Sequence, residues 1–158
     1  MTQIDFYILS DNSPHSGELF ACKLVDKAYH LQHTVYINTP GKPQAEHLDD
    51  LLWTFSAGSF LPHALNSQSL DSQSFDSQEP NSQEQSLKSP ILIGHTNQST
   101  TFHDVLINLT QDVPAFFSQF ERVAEIVYGD ETMRNASRIR YKFYRDRGYM
   151  LKTHNLGP

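Results

Sequence analysis

Apolar residues recur along this chain in two alternating rhythms. Gln3 to Leu9 is a short β-branched and aromatic run that ends at the turn formers Ser10 to Pro14, which predicts a first strand. From about Ser16 to His33 the apolar positions Leu19, Phe20, Leu24, Ala28 and Leu31 fall three to four residues apart, the spacing of a helix that buries one face. Thr34 to Asn38 then predicts a second strand. A strand, a helix and a strand in that order predict a βαβ unit with parallel strands. Pro40, Gly41 and Pro43 break the chain before a second amphipathic helix over Gln44 to Thr54, carrying Ala45, Leu48, Leu51, Leu52 and Trp53. Further strands are predicted at Pro90 to Gly94, Asp104 to Thr110 and Arg122 to Tyr128, with a short helical start at Pro114. Asp130 to Arg147 reads as a final helix stopped by Gly148. Five strands and three main helices predict an α/β sandwich.

One stretch has neither rhythm. Between Asn66 and Ser89, 13 of 24 residues are Ser or Gln in a five-residue repeat, too few apolar groups to offset the entropy of ordering, so a low-complexity surface loop is expected at about 66–89. The rest of the 158 residues fits a single domain. No apolar run approaches the ~18–20 residues that span a bilayer, so no membrane role is expected. The first residues lack the basic and apolar regions of a secretory signal, and Cys22, the one cysteine, has no partner for a disulfide; both predict a cytoplasmic protein.

Charge changes the picture more than composition does. Residues 1–133 hold 5 basic and 17 acidic groups, whereas 134–158 hold 7 and 1, so a basic island closes an acidic chain. Broad duplex binding is disfavoured on the acidic body, while a local anionic partner could still be held. On a helical wheel set to zero at Met133, Arg134, Arg138, Tyr141, Lys142 and Arg145 fall between about 80° and 180°, and Met133, Ala136, Ile139, Phe143 and Tyr144 between about 240° and 20°. The second arc is expected to pack on the sheet. The first aligns four cations whose i, i+4 neighbours repel. It reads either as a solvated basic face eased by the helix dipole, or as a site for a carboxylate-rich peptide or a phosphate backbone. A second constellation sets Trp53, Phe55, Phe60, Leu61 and Pro62 within ten residues, either as interface anchors or as a cap on the core.

Catalytic signatures are sparse. The chain has no Gly-x-Gly-x-x-Gly, no Gly-x-x-x-x-Gly-Lys-Ser/Thr and no Gly-x-Ser-x-Gly, so nothing supports a nucleotide function. His30 and His33 have i, i+3 spacing without a third ligand nearby, so no metal site is expected, nor any other cofactor. Cys22 lies in an amphipathic helix and reads as a buried structural thiol rather than a nucleophile.

Three segments together resemble the chi subunit family of bacterial DNA polymerase III: Asp5 to Leu9, Leu48 to His63, and Arg140 to Tyr149. The resemblance spans nearly the whole chain, and the Ser/Gln repeat replaces a shorter variable loop of the family. It implies a three-layer α/β sandwich with a mostly parallel sheet, like a nucleotide-binding fold without the nucleotide site. It also implies a non-catalytic accessory subunit. One surface would bind the psi subunit of the clamp loader, with Trp53, Phe60, Pro62 and His63 at the interface; a repair-type helicase is an alternative partner there. The other surface would bind the acidic C-terminal tail of single-stranded DNA-binding protein through Arg134, Arg138, Tyr141 and Lys142, to which the wheel adds Arg145. Nucleic acid would then be reached only indirectly. The rivals are direct single-strand binding by the same stripe and, last, an enzyme for a small anionic substrate, for which no base lies on the basic arc.

Overall fold

The computed structural model describes residues 2–10, 13–55, 61–66, 89–95, 98 and 100–156. In chain order these form β1 (Gln3–Leu9), α1 (Pro14–His30), β2 (Val35–Thr39), α2 (Lys42–Thr54), β3 (His63–Leu65), β4 (Ile91–His95), β5 (Val105–Asn108), a 3-10 turn (Phe117–Gln119), β6 (Arg122–Val127), α3 (Glu131–Asp146) and β7 (Met150–Leu156). All seven strands join one sheet in the order β3-β4-β2-β5-β6-β1-β7, and every pairing is parallel. No described helix is long and apolar enough to cross a membrane.

The sandwich has three layers because alternate strand residues face opposite ways. Val35, Ile37, Ile91, Ile93, Ile107 and Ile126 meet Ala21, Cys22 and Val25 of α1 and Ala45, Leu48 and Leu52 of α2 in one core. Ile4, Phe6, Tyr36, Leu92, Leu106 and Val123 meet Phe117, Phe120 and Tyr144 in the other. Cys22 is buried, and desolvation, followed by the nearby Glu18 charge, pushes its thiol up to about 12, as expected of a structural cysteine.

Two strands go beyond the five read from the sequence. β3 is three residues long and sits inside the aromatic stretch. β7 has almost every residue exposed or half-exposed, as an edge strand does, so it shows no apolar alternation. The low-complexity segment at 66–89 lies outside the described residues except at its ends. At its start Asn66 donates from Nδ2 to Tyr36 Oη at 3.1 Å, and its backbone N–H bonds Ile93 O at 2.8 Å.

Local chemistry sets the helix ends. Ser13 caps α1 by accepting from His15 N, and Asp130 caps α3 by accepting from Met133 N at 3.2 Å. α3 stops where Gly148 takes φ +82, with Gly148 N bonding Arg145 O at 3.0 Å and Tyr149 N bonding Tyr144 O at 3.2 Å. The α1 terminus makes a similar turn with Gln32 at φ 66, which lets His33 N bond Ala28 O at 3.0 Å.

Candidate functional site

α3 presents the basic stripe because its opposite face is held down by an ion pair inside the protein. Arg140 is 2% exposed and Glu125, on β6, is fully buried; Arg140 Nε donates to Glu125 Oε1 at 2.9 Å. Asn108 Nδ2 donates to the same oxygen at 2.9 Å, Tyr144 Oη donates to Oε2 at 2.6 Å, and Arg140 Nη1 donates to Gln111 O at 3.0 Å. Burial, reinforced by the Glu125 charge, pushes the Tyr144 phenol far up, so it remains a donor. Asn108 Oδ1 in turn accepts from Thr110 Oγ1 at 2.8 Å and from Asn38 Nδ2 at 3.3 Å.

This network rotates α3 from its expected orientation. The buried positions are Ser137, Arg140 and Tyr144, centred at about 10° on the wheel rather than near 310°. Ile139, expected to pack on the sheet, lies about 130° from that centre and is 71% exposed.

The five stripe residues are therefore not equivalent. Arg134 is half-buried and donates from Nη2 to Leu9 O at 2.9 Å, at the end of β1. Arg138, Lys142 and Arg145 are exposed. Arg138 pairs with Glu131 at 3.3 Å and also donates to the Asn135 side chain, while Arg145 pairs with Asp146 at 3.4 Å. Tyr141 stands at the margin with its ring edge-on to Phe6, 5.3 Å between centroids. Exposed pairs of this kind hold weakly, typically by ~0–1 kcal/mol, so an incoming carboxylate can replace them.

The aromatic constellation gathers at the other end of the sheet, on the opposite face. α2 packs on β2, β3 and β4, whereas α3 packs on β6 and β7. Trp53 ends α2 with its indole 54% exposed, tilted over the His63 imidazole at 4.4 Å between centroids. His63 is buried beneath it, with Nδ1 2.6 Å from Leu61 O and Nε2 3.3 Å from an Asp49 carboxylate oxygen. That carboxylate also accepts a hydrogen bond from Trp53; desolvation raises its pKa, while the His63 charge opposes the rise. His63 thus supports the indole from below rather than presenting itself at the surface. Pro62 is half-buried beside it, and Phe60 lies outside the described residues.

A third feature lies at the C-terminal ends of the strands, where sheets of this kind hold ligands. A cavity of 310 Å³ is lined by Glu18, Thr39, Gln44, His47, Leu109 and Tyr128 among others, and an adjoining one of 610 Å³ reaches Asp112, Asp130 and Met133. Between β1 and α1 the sequence reads Ser-Asp-Asn-Ser at 10–13, where a phosphate cradle would need glycines and a lysine.

These features define the class: an all-parallel α/β sandwich without the phosphate-binding loop sequence, with a cationic helix face on one side of the sheet and an exposed indole on the other. Among solved structures it is similar to T4 UvsW, with a TM-score of 0.65 and 7% identity over 99% of this chain and 42% of that one. A second likeness is to S. cerevisiae Dbp5 in a complex with Nup159, Gle1, IP6 and ADP, with a TM-score of 0.60 and 14% identity over 97% of this chain and 41% of that one. At those identities the likeness is one of fold. The family model of the DNA polymerase III chi subunit, HolC, matches residues 1–152, and the chain belongs to that family. It is 33% identical to the DNA polymerase III subunit chi of Pseudomonas aeruginosa over 99% of this chain and 98% of that protein. The subunit of Haemophilus influenzae is 31% identical over 96% of both, and that of Escherichia coli K12 is 27% identical over 97% of both. The chain is thereby placed among the accessory subunits of DNA polymerase III in DNA replication.

Proposed function

We propose that this subunit is a non-catalytic cytoplasmic linker that joins the clamp loader, through psi, to the C-terminal tail of single-stranded DNA-binding protein. The observation that carries the reading is the outward side of α3, where Arg138, Lys142 and Arg145 are exposed in a row beside Tyr141. The tail is acidic and ends in a carboxylate and a Phe, so it can exchange its oxygens for those of Glu131 and Asp146 at little cost. Exposed Ile139, one turn from Lys142, offers apolar surface near the row. Contacts of this kind form fast and weaken with salt, which suits a linker that must release and rebind. On the other face the exposed Trp53 indole, backed by His63 and flanked by Pro62, supports psi binding with Phe60 as its neighbour in sequence; a repair-type helicase would compete for the same surface.

The test is a fluorescence anisotropy titration with a labelled tail peptide, beside a copy lacking the final Phe and a bare single-stranded oligonucleotide. Binding to the full tail, lost with the Phe and weakened by Arg138→Ala about tenfold (~1.4 kcal/mol), is the expected result. Binding to the oligonucleotide alone, with a steep salt slope, would mean that the row reads phosphates and that the linker assignment fails.

A further inference from the structure

Outside both surfaces, the start of α1 and the middle of α2 bring together three side chains that are far apart in sequence. His15 and Glu18 are neighbours on α1, His47 comes from α2, and one donor atom from each lies within 4.8 Å of the other two. The His47 Nε2 to Glu18 Oε1 distance is 3.4 Å.

Donors bound to zinc at about 2.0–2.2 Å in a tetrahedron stand about 3.3–3.6 Å from one another. The Glu18–His47 edge already has that spacing. The other edges need to close by at most about 1.5 Å, a shift within the rotamer freedom of exposed imidazoles. The side chains differ in exposure: that of His47 is 58% exposed, and that of Glu18 only 19%. Glu18 is therefore the fixed point onto which the two rings can swing.

Donor chemistry selects the ion. Two imidazoles and one carboxylate form the ligand set that zinc takes when it keeps an open fourth position, whereas calcium and magnesium favour shells made of oxygen. Glu18 and His47 also line the 310 Å³ cavity with Thr39, Gln44 and Tyr128, so the fourth position faces a space that can admit water.

We propose that His15, Glu18 and His47 form a binding site for one zinc ion, which clips the first turn of α1 to α2 and keeps an open position at the mouth of the cavity. The expectation of no metal rested on the His30 and His33 spacing and could not see a ligand set assembled across a βα unit. Because the site lies on the α1/α2 side of the sheet, its test is independent of binding at α3.

Tag-free protein is titrated with Zn²⁺ by calorimetry and with Co²⁺ by visible absorption. The expected result is one ion per chain, Co²⁺ bands of a four-coordinate nitrogen and oxygen site, and a Tm raised by Zn²⁺. His15→Ala, His47→Ala and Glu18→Gln should each weaken binding by at least about tenfold, and His30→Ala should leave it unchanged. His15 and His47 are exposed, so their substitution leaves the fold intact, as circular dichroism would verify. The proposal is overturned by an absence of saturable binding, by binding that survives His15→Ala and His47→Ala, or by binding that depends on His30 instead.

Discussion

Substituting Arg140 by Met tests how α3 is held. The substitution keeps most of the aliphatic stem and removes the charge. Glu125 would then remain as a carboxylate with no exposure, left with the Tyr144 hydroxyl and the Asn108 amide as donors, and Gln111 O would lose its partner. Breaking a buried pair at one end costs about 3–5 kcal/mol, because the surviving charge has no solvent to return to. Against a total stability of about 5–15 kcal/mol this is a large fraction. With a urea m-value of about 2 kcal/mol per M, the midpoint should fall by about 1.5–2.5 M. The companion variant Glu125→Gln with Arg140→Met removes the stranded charge, so it should be more stable than Arg140→Met alone. Equilibrium unfolding in urea, followed by circular dichroism on wild type, both single variants and the double variant, gives the coupling directly. A loss below about 1 kcal/mol for Arg140→Met, the range of an exposed pair, would refute the argument. So would a double variant no better than the single one.

Other expectations are simpler. Native Cys22 should resist iodoacetamide under mildly alkaline conditions and react only as the protein unfolds; labelling at the rate of a free thiol would show that α1 does not seal it. Its folded pKa of about 12 lies above the ordinary 9.0, so this group's contribution to stability is complete below about pH 9 and is lost as pH rises toward 12. A Cys22→Ala variant should accordingly show a shallower fall in stability over that alkaline window, read from urea midpoints. Gln32→Gly should raise stability by about 0.5–1 kcal/mol, since a left-handed residue with a Cβ closes α1; an unchanged or lower urea midpoint would show that the chain accommodates Gln32 without strain.

Apolar rhythm made most of the sheet legible. β1, β2, β4, β5 and β6 were readable because their residues are buried on one or both faces, and the βαβ order at the start foretold the parallel pairing that every strand obeys. β7 was not readable, because its edge position removes the pressure for apolar alternation. For α3 the sequence held an unused signal. Arg140 falls at about 340° on the wheel, inside the apolar arc, and Glu125 interrupts the apolar run from Val123 to Val127. A cation in one buried stripe and an acid in another imply each other, and with that pair placed, the outward turn of Ile139 follows. The stripe of Arg138, Lys142 and Arg145 was legible as an exposed row, whereas the attachment of Arg134 to Leu9 O depends on where β1 ends. The His15, Glu18 and His47 cluster was invisible to spacing because it forms only after α1 and α2 pack side by side.

The position of β1 has a consequence for synthesis. Gln3 pairs with Arg122 on one side and with Met150 on the other, so the strand made first is flanked by the two made last. While the chain is still emerging from the ribosome, β2, β4 and β5 can assemble, but Ile4 and Phe6 have no neighbouring strand until β6 and β7 arrive. Contacts so distant in sequence slow folding and lengthen the time that apolar surface is exposed. A chain stalled before residue 122 therefore carries an unpaired apolar strand at its leading end. In the same nascent chain α2 already has β2, β3 and β4 to pack on, whereas the part of the core under α1 still lacks Ala124 and Ile126 of β6, so the weak point for chaperones and proteases is the β1–α1 segment.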